Sequence, residues 1–269
     1  MISQRISFLL LSCALLPAQW LNYPTPGTPR LPDGKPNLAA PAPHAGDGHP
    51  DLSGVWQLEP APCAANAIQP CGGDYRGARE FGNIGARIAG GLPYQPWAAE
   101  LVKKRTADLG KDDPVAWCRP AGALRLLTYP PYRKIIQTPG LTILLSERDV
   151  TYRQIFTDGR PLSADPSPSW NGYSVGKWQG DVLVVETNGL RDGTWLDRNG
   201  SPLTEAAKMT EKYRRVNFGN LEIEVTIDDP KAYTKPWTVR LHQLLVPDTE
   251  LLDYYCNDNE KDSVHAVGK

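Results

Sequence analysis

The sequence predicts a mainly β fold, an antiparallel meander that forms a barrel or a strongly curled sheet. From Cys118 onward, apolar and polar residues alternate with period two in nine short runs. The breaks between them carry turn residues such as Thr138-Pro-Gly140, Gln179-Gly180 and Gly219-Asn220. One stretch alone has a helical pattern, so the strand-helix alternation of an α/β fold is missing. Eight Trp, eleven Tyr and 26 Pro supply the strand formers and breakers that such a chain needs. A meander of that many strands protects its edges best by closing on itself.

Taken in order, the chain opens with Gln4 and Arg5, an apolar run to Leu11, and Ser12-Cys13-Ala14. This is the outline of a bacterial export signal over 1–18. Cleavage falls either before Cys13, which then carries a lipid anchor, or after Ala18. The consequence is an extracytoplasmic location: a periplasmic or secreted protein, or a lipoprotein tethered to the membrane. No later segment is apolar for long enough to span a membrane. Residues 19–51 form a Pro-rich arm, read as extended and poorly packed, and 52–269 a single β-rich domain. Within the arm Asp33-Gly-Lys-Pro-Asn-Leu38 recurs as Asp47-Gly-His-Pro-Asp-Leu52, each a turn dipeptide followed by a helix-averse Pro.

The folded part begins with a first strand entered through Leu52-Ser-Gly-Val-Trp56, followed by Gly-rich loop to Leu92. Residues 96–109 are the one predicted helix: Pro96 suits its first position, Ala98, Leu101, Val102 and Leu109 share a side that Arg105 interrupts, and Gly110 ends it. Strands are then expected at 133–137, 141–146, 151–156, 173–178, 181–187, 209–217, 221–227, 237–245 and 251–256.

Without Cys13, four cysteines remain. An even number in an exported chain points to two disulfides among three connectivities. Cys63 with Cys71 would close a small loop, and Cys118 with Cys256 would tie the start of the main domain to its end. No cysteine or histidine spacing suits a metal, and no cofactor is expected. Asp197-Arg-Asn199-Gly200 lacks the remaining ligands of a calcium loop. With 29 basic and 30 acidic residues and no basic stripe, the chain is not a nucleic-acid binder.

Several segments together carry a resemblance: Pro50-Asp-Leu-Ser-Gly-Val-Trp56, Tyr94-Gln-Pro-Trp97, Cys118-Arg-Pro120, Gly172-Tyr-Ser-Val-Gly-Lys-Trp-Gln-Gly-Asp181, Trp195-Leu-Asp197, Thr226-Ile-Asp-Asp-Pro230 and Tyr255-Cys256-Asn257. The set resembles a family of secreted bacterial proteins of uncharacterised function over nearly the whole mature chain. It implies export and no particular activity. Gly54-Val-Trp56 ahead of a meander is also similar to the Gly-x-Trp entry of lipocalin-type barrels, which implies a calycin-like fold and nothing about function.

Three constellations are candidate sites. Gly172-Tyr-Ser-Val-Gly176 has the pattern of a serine-hydrolase nucleophile elbow, with Ser174 as nucleophile, His242 or His265 as base, and Asp192, Asp197, Asp228 or Asp229 as orienting acid. The required helix is missing, because a two-residue turn at Gln179-Gly180 would pair Ser174 with Val185 in a hairpin. Around Gly219-Asn220, a two-residue turn would place Glu211, Tyr213, Arg215, Glu222 and Glu224 on one face. That face is either a solvated surface laced with ion pairs or a polar lining on which Glu222 and Glu224 act as acid and base. Finally, the loops gather Arg160, Trp170, Asp192, Trp195 and Asp197 into a platform for a small or glycan ligand, though turn chemistry alone explains their Asp-Gly pairs. The leading expectation is a binding module for a small or carbohydrate-like ligand. The alternatives are a hydrolase or lyase using the hairpin carboxylates or Ser174, and a structural envelope protein without a site.

Overall fold

The computed structural model describes residues 23–60, 79–148 and 150–256. The export signal, Cys13, Cys63, Cys71, Asp149 and His265 lie outside them. Nine strands close a barrel: β1 (Gly54–Leu58), β2 (Arg133–Thr138), β3 (Leu141–Ser146), β4 (Tyr152–Phe156), β5 (Tyr173–Gln179), β6 (Val182–Asn188), β9 (Lys208–Asn217), β10 (Asn220–Asp228) and β11 (Trp237–Leu245). Their order is β1-β11-β10-β9-β6-β5-β4-β3-β2, returning to β1. Between β6 and β9, β7 (Thr194–Trp195) and β8 (Pro202–Leu203) form a separate ribbon. The mainly β, barrel-forming expectation is met, with one departure from a pure meander. β4 and β5 run parallel, and they pair only at Ile155 with Ser174 and Phe156 with Val175.

Period-two patterning decides which side chains fill the barrel. Met209, Glu211, Tyr213 and Arg215 of β9, Leu221, Ile223, Val225 and Ile227 of β10, and Trp237, Val239, Leu241, Gln243 and Leu245 of β11 are all buried, while the residues between them face out. Residues 251–256, expected as a last strand, contribute only a bridge from Tyr254 to Arg148. The physical reason is closure: β1 pairs with both β2 and β11, so no edge is left for another strand. Cys256 is instead held by a disulfide to Cys118, one of the two pairings considered from sequence.

Each end of the barrel is closed by chain outside it. At one end sits α3 (Ala123–Thr128), a short helix with every residue buried. Arg133 draws it in, donating to the Leu127 carbonyl at 2.6 Å and to those of Tyr129 and Pro131, while Gln243 Nε2 reaches the same Leu127 oxygen at 3.0 Å. At the other end lies the arm, which packs where sequence suggested little packing. The two repeats adopt the same hairpin: Leu31 N–H donates to Lys35 O and Ala45 N–H to His49 O, both at 2.8 Å, with bridges Arg30 to Pro36 and His44 to Pro50. Gly34 and Gly48 take matching left-handed φ values of 85° and 84°. The arm then hydrogen-bonds the β9–β10 turn, from Phe218 N–H to Ala40 O and from Gly219 N–H to Leu38 O. His49 stacks flat on Trp178, with ring centroids 4.7 Å apart, and Leu52 is fully buried beside Trp56. Arg215 gathers the carbonyls of Asp51, Ser53 and Phe218 there, as Arg133 does at the opposite end. Burial holds both guanidinium groups down, Arg133 to about 9 and Arg215 to about 10.

The predicted helix is α2 (Pro96–Ala107), and α1 (Arg79–Gly82) is a single turn before it. Leu109, assigned to the apolar side, lies past the helix end and is almost fully exposed. Arg105, which interrupts that side, is the residue that packs: its guanidinium lies 4.4 Å from the Trp195 ring centroid and donates to Gly200 O at 2.7 Å.

Candidate functional site

The parallel junction of β4 and β5 is where the barrel wall opens. Beyond their two paired positions the strands part, and the connection 157–172 returns over the gap to leave a cleft of about 420 Å³. That volume lies within the range of about 300–1,000 Å³ common to ligand sites. Tyr152, Phe156, Trp170 and Tyr173 line it, with Gln154 and Asn171 among them. Across the seam Phe156 packs on Tyr173 with centroids 5.5 Å apart, and Arg160 covers Phe156 at 3.9 Å. The guanidinium of Arg191 sits 5.2 Å from the Trp170 centroid, fixing that ring from the loop after β6. Asn171 bridges the parted strands, its Nδ2 donating to Tyr152 O at 2.9 Å, while its Oδ1 is buried with no partner.

Arg153 and Ser174 also reach this cleft and belong to a polar network inside the barrel. Arg153 donates from Nη1 to Glu211 Oε1 at 2.9 Å, from Nη2 to the other Glu211 oxygen, and from Nε and Nη2 to Ser174 Oγ. Thr187 Oγ1 accepts from Arg153 at 2.9 Å and lies 2.9 Å from Ser174 Oγ. Tyr213 donates its hydroxyl to Glu211 Oε1 at 2.7 Å. All five residues are buried. Burial works against the Arg153 charge, but the facing Glu211 carboxylate outweighs it and holds the guanidinium above its ordinary value. Burial first, then the Glu211 charge, pushes the Tyr213 phenol well up. This cluster carries no net charge to the cleft.

The candidate residues are scattered by the fold. Trp170 lines the cleft, and Arg160 stands beside it on Phe156 but is ion-paired with Asp158 at 2.6 Å. Asp192 accepts from Glu205 N–H at 2.7 Å in the β7–β8 region. Trp195 is buried beneath Arg105, and Asp197 is fully buried, accepting from Ile84 N–H, Ser201 N–H and Ser201 Oγ. Trp195 packs the ribbon against α2 and Asp197 anchors it to the segment around Ile84, and both are turned away from solvent. The expected platform of five residues is therefore not assembled, and the Asp197 oxygens are already occupied by protein donors. Among the described residues no group of three or more His, Cys, Asp or Glu could hold a metal ion.

Ser174 sits in mid-strand opposite Thr187, because the turn is at Gly180-Asp181 and Gln179 pairs with Val182. Arg153, not a histidine, is its polar neighbour, and His242 lies opposite Glu222 on β11. Among the described residues no helix N-terminus or base supports a nucleophile there, and His265 lies outside them. The hairpin carboxylates are corrected too. A bulge between Asn220 and Leu221 pairs Leu221 with Arg215, so Glu211, Tyr213 and Arg215 point in while Glu222 and Glu224 point out. Glu222 pairs with Arg214 at 2.7 Å, and Glu224 with Lys212 and Arg240, both at 3.1 Å. Hydrogen bonds from Lys212 and then Arg240 hold the Glu224 carboxyl below the usual range, which suits a surface ion pair and not a general acid.

Sequence reasoning missed Arg153. Its signal was phase: Arg153 alternates with Ile155, which must face the core, so a guanidinium there needed a buried partner. No protein-family model matches the chain, and no curated protein matches it. No helix among the described residues is long and apolar enough to cross a membrane.

Proposed function

We propose that the protein is an extracytoplasmic binding module, periplasmic or secreted, that takes a small ligand in the cleft between β4 and β5. The observation that carries this reading is the convergence of four aromatic side chains on the one parallel, parted junction of an otherwise antiparallel barrel. Tyr152 in particular presents its ring to solvent on the cleft wall at 62% exposure. The disulfide between Cys118 and Cys256 supports an oxidising compartment, as do the export features of residues 1–18, with Cys13 as the alternative lipid-attachment point. The outward-facing, ion-paired Glu222 and Glu224 and the arginine-bound Ser174 weigh against the hydrolase reading.

A thermal-shift screen of sugars, aromatic acids and small metabolites tests it. A ligand at one hundred times its dissociation constant stabilises the folded state by about 2.7 kcal/mol. The expected result is a rise in Tm for the wild type that disappears in Trp170→Ala and Tyr152→Ala, both of which fold normally. A rise retained in both variants would place binding elsewhere.

A further inference from the structure

Resting on the cleft as the ligand site, we infer that its ligand is a neutral sugar ring, held by one face against Trp170 and Tyr152 and by its hydroxyls against the side chains of Gln154 and Ser169. Charge is the first argument. Among the described residues Arg153 is the only charged one lining the cleft, and its donors are spent on both Glu211 oxygens, Ser174 and Thr187. A carboxylate or phosphate would find no free cation among these lining residues; the guanidinium groups of Arg160 and Arg191 stand outside the lining, on Phe156 and Trp170, and Arg160 is already paired with Asp158.

The polar walls are the second argument. They consist of amides and hydroxyls, which both donate and accept and so match groups that do the same. Gln154 and Ser169 lie on the exposed side of the wall, where a ligand hydroxyl can reach their side chains. The aromatic walls supply the third. The face of an aromatic ring is electron-rich and attracts the slightly positive C–H bonds that line one face of a pyranose.

Two other ligand classes fit less well. An added peptide strand needs the free edge of β4, but Asn171 Nδ2 already occupies the Tyr152 carbonyl. A long acyl chain needs a hollow barrel, and this one is filled along its length by Trp56, Arg133, Arg153 and Tyr213, all fully buried.

Isothermal titration of the full chain with methyl glucoside, methyl galactoside and methyl mannoside, the matching uronic acids, and indole as an uncharged aromatic probe decides the matter. The expected result is binding of a neutral glycoside at least about tenfold tighter than its uronic acid, lost in Trp170→Ala. Removing one contacting hydroxyl from the sugar should weaken binding by about five- to tenfold, the effect of a single net hydrogen bond. The deoxy-sugar series needs no substitution in the buried network and so does not depend on a Ser174 variant folding. Tighter binding of a uronic acid, or Trp170-dependent binding of indole with no sugar binding, would overturn the sugar assignment and leave the cleft as a site. Absence of any Trp170-dependent binding would overturn both.

Discussion

Arg153 and Glu211 are a fully buried ion pair, and their energetics follow from what each would be without the other. Removing one partner leaves a charge in the barrel with nothing to compensate it, a loss of about 3–5 kcal/mol, whereas replacing both by apolar residues of similar volume is far less damaging. Arg153→Met should therefore destabilise the protein strongly in urea unfolding, and Arg153→Met with Glu211→Met should recover much of the loss; equal losses would mean the pair is not coupled. Tyrosines provide a second expectation at this scale. Burial raises Tyr213, Tyr233 and Tyr94, the last to about 12, above the ordinary phenol value of 10.0. A phenol whose folded value is raised stabilises fully below its unfolded value and loses that contribution as pH rises through the folded one. Stability should thus hold up to about pH 10 and then fall, by about 1.4 kcal/mol per pH unit for each tyrosine that ionises only when unfolded. A flat unfolding free energy from pH 9 to 11.5 would contradict it. Trp170 was legible as a binding candidate because a loop Trp has few structural duties. Trp195 and Asp197 looked the same in sequence, and only the packing of Arg105 and Ser201 against them reveals their structural work.

Elements differ in how far local sequence determines them. The strands were readable because inward and outward residues alternate, but their register depended on turns. One bulge at Asn220 moved Glu222 and Glu224 to the outside, and a shifted turn at Gly180 paired Ser174 with Thr187. Helix α3 escaped notice because a helix buried all round has no amphipathic period, and Arg125 in its middle reads as exposed. That arginine is in fact buried and ion-paired with Asp113 at 2.6 Å. The arm repeat shows the same limit in reverse: two nearly identical hairpins form as their Asp-Gly turns dictate, yet only the second delivers its leucine to the core. Leu52 is fully buried, and Leu38 is 36% exposed. Leu52→Ala should accordingly cost about 2–5 kcal/mol, while Leu38→Ala should stay within about 1 kcal/mol. Similar losses from both, measured by chemical denaturation, would mean that the arm does not seal the barrel as described.

At the scale of the whole molecule, the barrel is closed at one end by α3 and at the other by the arm, and its wall is continuous except where β4 and β5 part. The disulfide fastens Cys256, near the end of the described chain, to Cys118, two residues before Pro120 on the cleft wall. A closed barrel was legible from strand number and the want of helices. The parallel junction was not, because nothing local in 157–172 tells the returning strand which way to run. The cleft is a product of that junction, so binding should be felt there and not along the barrel axis or in the groove beneath the arm. Amide chemical-shift mapping of the labelled protein, titrated with the neutral glycoside that binds best, tests this directly. The account predicts shifts concentrated in residues 151–156 and 169–174. Shifts centred instead on the arm groove around Thr28, Lys134 and Arg215, or spread without a focus, would contradict it.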